Sequence, residues 1–178
     1  VIGARRQGDC QWHPATLWIG IGCERNTSLS LVEKAIAEAL ARAGMAEEAV
    51  AGMASAARKS DEPALQRLSQ TRTWTFRTFA EHALASIAVP NPSEVVRKEM
   101  GTASVAEAAA LLAAGEQGHL IQPKRISRSG TGEQGAVTVA IAEAALPYAP
   151  ERGELHLVGS GPGDLSLLSG DAKAALSR

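Results

Sequence analysis

Aromatic side chains are scarce in this chain: Phe, Trp and Tyr together supply 3% of its 178 residues. A core without them must be built from Ala, Val, Leu and Ile, with helices packed closely through alanine faces. Hydrophobic residues still make up 45%, enough for a real core at this length. Cysteine is scarce too. Cys10 and Cys23 are too few for a disulfide framework and form no Cys-x-x-Cys pair, which points to a reduced, cytoplasmic compartment. Neither sign of charge dominates, and a net charge of -1 gives no field for nucleic acid or a membrane surface. No apolar run reaches the roughly 18–20 residues that span a bilayer, and the opening carries no signal-peptide pattern. His13, His82, His119 and His156 are scattered without metal-ligand spacing, so no metal site is expected.

What the chain does have is alternation. Residues 1–15 are polar, Gly/Arg-rich and punctuated by Pro14, and read as a linker or arm from a preceding region. LWIGIG (Leu17 to Gly22) is an apolar strand that turns through two glycines. The next segment buries Leu29, Val32, Ile36, Ala39 and Leu40 on one helical face, with Gly44 as its stop. VAGMASA (Val50 to Ala56) is a buried strand. Asp61 then caps a helix with Pro63 in its first turn, running to about Gln70. TWTF and Arg77 form a third strand. Three reciprocal capping patterns follow, Thr78 with Glu81, Asn91 with Glu94, and Ser104 with Glu107. HLIQPKRIS and GAVTVAIAEA read as an antiparallel hairpin across the loop SRSGTGEQG. This order predicts an α/β fold: a three-layer domain over a mixed sheet, parallel in its first half.

Chemistry is expected where strands give way to helices, because open α/β sheets bind ligands at their carboxyl ends. GIGCERNTS (Gly20 to Ser28) is such a place. Free amides at a helix start favour an anion, and Arg25 can grip a carboxylate in a bidentate way. Arg25 stands where a dinucleotide fingerprint would have its third glycine. Cys23 has no nucleophile's partner near it in sequence and reads first as a buried structural thiol. RKSDEP (Arg58 to Pro63) follows the second strand and should share the same edge. There Lys59, Asp61 and Glu62 are candidates for acid/base work or for holding a polar substrate, with capping the preferred account of Asp61. Lys124 and Arg125 add cations, of which an alternating strand can aim only one at the site.

GIGCERNTS, KSDEP, VPNPSEVV, MGTASVAEAAALLAAG, the Pro-Lys strand and AVTVAIA, in this order, resemble the CobE/CbiG C-terminal domain family of cobalamin biosynthesis over about Leu17 to Glu143. The final GSGPGD after ELHLV resembles the opening of the tetrapyrrole methylase family, of the precorrin-3B C17-methyltransferase type. The resemblance implies a fused precorrin-processing polypeptide. Its domains would be 16–146 of the CobE/CbiG type, a linker at 147–153, and a truncated methylase start at 154–178. It implies lactone opening in cobalt-precorrin-5A with release of acetaldehyde, or alternatively non-catalytic binding and channelling of corrinoid intermediates. The site residues it implies are Glu62 and Lys59 as catalytic groups, with Gly20, Gly22, Cys23, Arg25, Thr27 and Lys124 binding substrate. Gly159, Gly161, Pro162, Gly163 and Asp164 would bind S-adenosylmethionine only in an intact methyltransferase. Expected partners are a corrinoid, the rest of the parent polypeptide or other pathway enzymes, and a second copy in a homo-oligomer.

A glycine-rich turn alone supplies few of the walls that enclose a ligand's surface, typically roughly 70–90% of it. S-adenosylmethionine is therefore expected not to bind this chain. Calorimetry checks this, and saturable micromolar binding would reverse it.

Overall fold

The computed structural model describes residues 2–6, 12–89, 104–128 and 135–149. The expected cap at Asn91 and Glu94, the middle of the loop 127–135, Cys10, and Gly159, Gly161, Pro162, Gly163 and Asp164 lie outside the described residues. The helices and strands described below all belong to the unit Val1–Tyr148.

Strand β1 (Leu17–Cys23) serves two layers by simple alternation. Leu17, Ile19 and Ile21 join one core, while Trp18 and Gly20 face the other side. Helix α1 (Leu29–Ala43) follows. Its N-cap Ser28 accepts from the Leu31 N–H, and Gly44 closes it in the left-handed conformation at φ 65. The buried stripe contains Val32, Ile36, Ala39 and Leu40 as the periodicity predicts, together with Leu31 and Ala35. Strand β2 (Val50–Ala56) is buried along its whole length, as a parallel strand covered on both faces must be. Helix α2 (Pro63–Arg72), strand β3 (Thr75–Phe79) and the short helix α3 (Glu81–Ala85) come next. Helix α4 (Val105–Ala114) and strands β4 (His119–Arg128) and β5 (Ala136–Glu143) complete the described elements.

The five strands form one sheet in the order β3-β2-β1-β5-β4. β1, β2 and β3 are parallel, while β5 runs antiparallel to both β1 and β4. One face carries α1 and α2, whose Ile36, Leu40, Leu65 and Leu68 pack on Ile19, Ile21, Val139 and Ile141. The other face carries α3 and α4, packed on Trp18, Ala51 and Ala54. The expected three-layer mixed α/β architecture is the observed one.

The second face is held unusually close. A Cβ placed on Gly20 would stand 1.8 Å from the Ala106 carbonyl oxygen and 2.8 Å from the Ala110 nitrogen. The α4 backbone thus lies directly on β1, and only glycine fits between. Gly52 makes a matching allowance on the neighbouring strand. A Cβ there would stand 2.3 Å from the Thr75 carbonyl oxygen of β3 and 2.8 Å from the Trp18 ring. Arg77 covers that ring at 4.3 Å and the Tyr148 ring at 4.8 Å, and donates to the Ala113 carbonyl at the end of α4.

Three expected caps are corrected. Thr78 belongs to β3, and α3 has Ala80 at its N-cap with no side-chain bond. Ser104 stands at the N-cap of α4, but its hydroxyl makes no capping bond. Glu107 instead turns inward, fully buried, and accepts the Lys124 N–H at 3.0 Å. Asp61 does not cap α2. Glu62 occupies the N-cap position, and Asp61 reaches Arg25.

Because the α4 backbone itself occupies the space above Gly20, Gly20→Ala should lower unfolding stability by roughly 1–3 kcal/mol through overpacking. Urea denaturation measures this, and an unchanged midpoint would show that α4 shifts without cost.

Candidate functional site

The site lies where β1 and β2 part. Their ladder reaches Gly20 opposite Ala54, after which β1 stays with β5 to Cys23 and β2 with β3 to Ala56. Just past the last rung, the buried Ser55 hydroxyl donates to the Ile21 carbonyl at 2.7 Å. Two turns then face each other, 24–28 after β1 and 57–62 after β2. The first places Asn26 in the left-handed region at φ 57, a conformation asparagine tolerates better than most residues.

Glu62 joins the two turns. Its Oε1 accepts the Asn26 N–H at 2.8 Å. Its Oε2 lies 3.6 Å from Lys59 Nζ and 3.7 Å from Arg25 Nη1, buried and without a hydrogen bond among the described residues. Glu62 is 0% exposed and Lys59 only 7%. A buried carboxylate needs both counter-charge and hydrogen bonds, and deleting one partner of such a pair typically costs about 3–5 kcal/mol. Glu62 is therefore a brace for both turns as well as a chemical group.

Arg25 is the outward-facing member. Its Nη1 donates to Asp61 Oδ1 at 2.6 Å and its Nη2 to the Arg58 carbonyl at 2.7 Å. The hydrogen bond from Arg25 lowers the Asp61 carboxyl below its ordinary range, and the same bond raises the guanidinium further. Cys23 is half-buried at the end of β1, and burial pushes its thiol up. Lys59 opposes that shift, Glu62 adds to it, and Arg25 opposes it again.

Of the residues expected here, the fold brings together Cys23, Arg25, Lys59 and Glu62. Gly22 is beside them, and among the described residues a Cβ there would meet only the Thr138 Cβ, at an ordinary contact distance of 3.8 Å. Gly20 lies under α4. Thr27 is buried, donates to the Glu24 carbonyl, and abuts Gly135, which holds φ 114 against it. Lys124 is a correction to the expected trio of cations at one edge. It sits midway along the outer strand β4, with β5 and β1 between it and β2. Register shifts on either side of Gln122 disturb the ladder there, and its N–H goes to Glu107. Asp61, for which capping is the preferred sequence reading, and Asn26, to which sequence reasoning gives no part, also belong to the cluster. The signal was present for Asn26, an asparagine in a strand-to-helix turn. Among the described residues no three His, Cys, Asp or Glu side chains converge as metal ligands, and no helix is long and apolar enough to cross a membrane.

Fold and site together define a class: a mixed α/β domain with an ionic cluster beyond the carboxyl ends of two adjacent parallel strands. The family described as "Cobalamin synthesis G C-terminus" matches residues 17–142, and the chain belongs to that family. It is 30% identical over 137 residues to a cobalt-precorrin-5A hydrolase of Priestia megaterium, covering 77% of this chain but 34% of that one. It therefore spans about a third of the length of that relative. It is 35% identical over 119 residues to the protein CobE of Sinorhizobium sp, covering 66% of this chain and 77% of CobE. Among solved structures, CobE, a protein from the cobalamin (vitamin B12) biosynthetic pathway, superposes with a TM-score of 0.64. Its identity is 29%, over 73% of this chain and 94% of CobE. The cobalamin biosynthesis protein chiG from Agrobacterium tumefaciens str. C58 gives a TM-score of 0.54 at 28% identity, over 72% and 98% of the two chains.

The thiol at Cys23 tests the cluster's electrostatics. Its raised pKa favours the neutral form in the fold. That contribution to stability is complete below the ordinary thiol value and is lost as pH rises through the folded one. With Cys10→Ser leaving one thiol, the pH profile of iodoacetamide alkylation should have a midpoint above that of a free thiol. Lys59→Gln should move it further up and Glu62→Gln should move it down. Midpoints indifferent to both changes would separate Cys23 from the cluster.

Proposed function

We propose that this chain is a corrinoid-handling domain of the cobalt-precorrin-5A hydrolase type, with its ligand seated beyond the carboxyl ends of β1 and β2. A role in cobalamin biosynthesis follows from the family. The observation that carries the finer reading is the convergence of Arg25, Lys59 and Glu62 at one strand edge. A precorrin is a flat macrocycle fringed with acetate and propionate carboxylates, so its seat needs cations facing solvent. Arg25 meets that need. Opening a lactone needs a water that loses a proton as it adds to the ring carbonyl, and donors on the carbonyl oxygen as the ring C–O bond breaks. Glu62 takes that proton in this reading and returns it to the ring oxygen as the C–O bond breaks. Lys59 and the amides of the turn after β1 are the donors.

A second reading keeps the ligand and drops the chemistry: the domain binds corrinoid intermediates and passes them on. It is favoured by the burial of Glu62, whose Oε1 is already engaged by Asn26 and whose Oε2 is flanked by two cations.

For the wider polypeptide we propose a domain at 16–146 flanked by linkers at 1–15 and 147–153. A tetrapyrrole methylase of the precorrin-3B C17-methyltransferase type would begin at 154. There Gly159, Gly161, Pro162, Gly163 and Asp164 would meet S-adenosylmethionine in the intact enzyme. The support is the resemblance of ELHLVGSGPGD. The flanking coding sequence tests it.

Cobalt-precorrin-5A supplied to the chain distinguishes the two activities. Release of acetaldehyde, abolished by Glu62→Gln with binding retained, supports hydrolysis, whereas absorbance changes without release support the binding module. In both cases Arg25→Ala should weaken binding about tenfold, as expected for one charge-assisted contact, and flatten its salt dependence. An unaltered affinity would remove Arg25 from the seat.

A further inference from the structure

The charges of the cluster fall into two kinds. Glu62 and Lys59 are buried and fixed, the carboxylate being tied to the Asn26 N–H. Asp61 and Arg25 are open to solvent, with side chains 70% and 54% exposed. Asp61 uses a single oxygen, Oδ1, on Arg25 Nη1. A guanidinium accepts a carboxylate best as a two-point fork, and a one-point contact leaves that geometry unused. An exposed ion pair of this kind contributes little, typically about 0–1 kcal/mol, so exchanging its carboxylate for another is cheap. The Arg58 carbonyl meanwhile holds Nη2, so the guanidinium keeps its place when Asp61 leaves.

From this geometry we infer that Asp61 occupies the seat of a ligand carboxylate on Arg25, and that the ligand enters by displacing it. The inference rests on the corrinoid reading for the ligand's identity, but the seat itself is defined by its chemistry: a carboxylate on a flexible acetate or propionate arm. Asp61 thereby sets a threshold. Ligands with one weak anionic group do not compete with a neighbour tethered in the same chain, whereas a polycarboxylate held at several points does. Asp61 is thus a specificity-determining residue that acts by competition.

The experiment uses the full chain and tricarballylate, a small tricarboxylate, followed through the NMR resonance of the Arg25 side-chain N–H. The resonance should shift saturably, and Asp61→Asn should tighten the apparent affinity about two- to fivefold, the span of an exposed ion pair. In an Arg25→Lys background, which lacks the fork, the gain from Asp61→Asn should vanish. Glu24→Gln removes an equal charge next to Arg25 in sequence, one that is not among the guanidinium's ion-pair partners, and should leave the affinity nearly unchanged. No shift at Arg25, no gain in Asp61→Asn, or an equal gain in Glu24→Gln would overturn the inference. Hydrogenobyrinic acid, a polycarboxylate corrin, separates this from the functional reading. If tricarballylate behaves as described while the corrin fails to bind, the seat stands and the corrinoid reading falls. If the corrin binds with an affinity blind to Asp61→Asn, the seat falls and the reading stands.

Discussion

The seating of α4 on Gly20 sets the thickness of one whole side of the domain. Contact between a helix backbone and a strand backbone leaves no space for large side chains around it, which is why the scarcity of aromatics is tolerable. Ala106, Ala109, Ala110 and Ala113 fill the interface, and Gly52, lacking a Cβ, leaves space for the Thr75 carbonyl and the Trp18 ring. The same closeness brings Glu107 from α4 onto the Lys124 N–H of β4. There the register shifts, and Pro123 is acceptable because β4 is an edge strand. This hydrogen bond ties the α4 layer to the outer strand.

Glu62 does for the two turns what α4 does for the layers. Without it, the 24–28 and 57–62 turns would be held together mainly by the exposed Arg25, through the Arg58 carbonyl and an ion pair with Asp61 that water and salt screen. With it, the Asn26 amide, Lys59 and Arg25 share one buried anion. The parallel ladder ends two residues before β2 does, and the Ser55 hydroxyl on the Ile21 carbonyl keeps the departing strands in register. The site is therefore built on the ends of fixed elements, with only its outermost charges free to rearrange.

Much of this was legible in the sequence, for reasons that are local. The α1 stripe follows from its 3.6-residue period and Gly44, and β2 from its run of small apolar residues. The meeting of Arg25, Lys59 and Glu62 follows from topology, since consecutive parallel strands present their carboxyl ends on one edge. What could not be read depends on distant neighbours. Glu107 three residues after Ser104 has the spelling of a capping box, yet its partner is an amide 17 residues later. Asp61 has the spelling of a cap, yet Arg25 from 36 residues earlier claims it. Lys124 was misplaced because the order of β4 and β5 relative to β1 cannot be derived from a hairpin alone. Arg77 carries no signal, since its ring partners Trp18 and Tyr148 meet in the fold but come from distant parts of the chain.

The glycine pair of the first strand shows how function and packing divide a motif. Gly20 and Gly22 point to the same side of β1, two residues apart, and look equivalent in a phosphate-loop reading. They are not. Gly20 is consumed by α4, whose Ala106 carbonyl already occupies the approach that a ligand would need. Gly22 lies beyond the helix, with ordinary contact distance to Thr138 and nothing nearer among the described residues. One glycine thus fixes where α4 lies on the sheet, and the other lies beyond the contact of that helix among the described residues. Among the described residues, the tightest contact in the domain thus lies two residues before Gly22, and it bounds the cluster of Cys23 and Arg25 on that side.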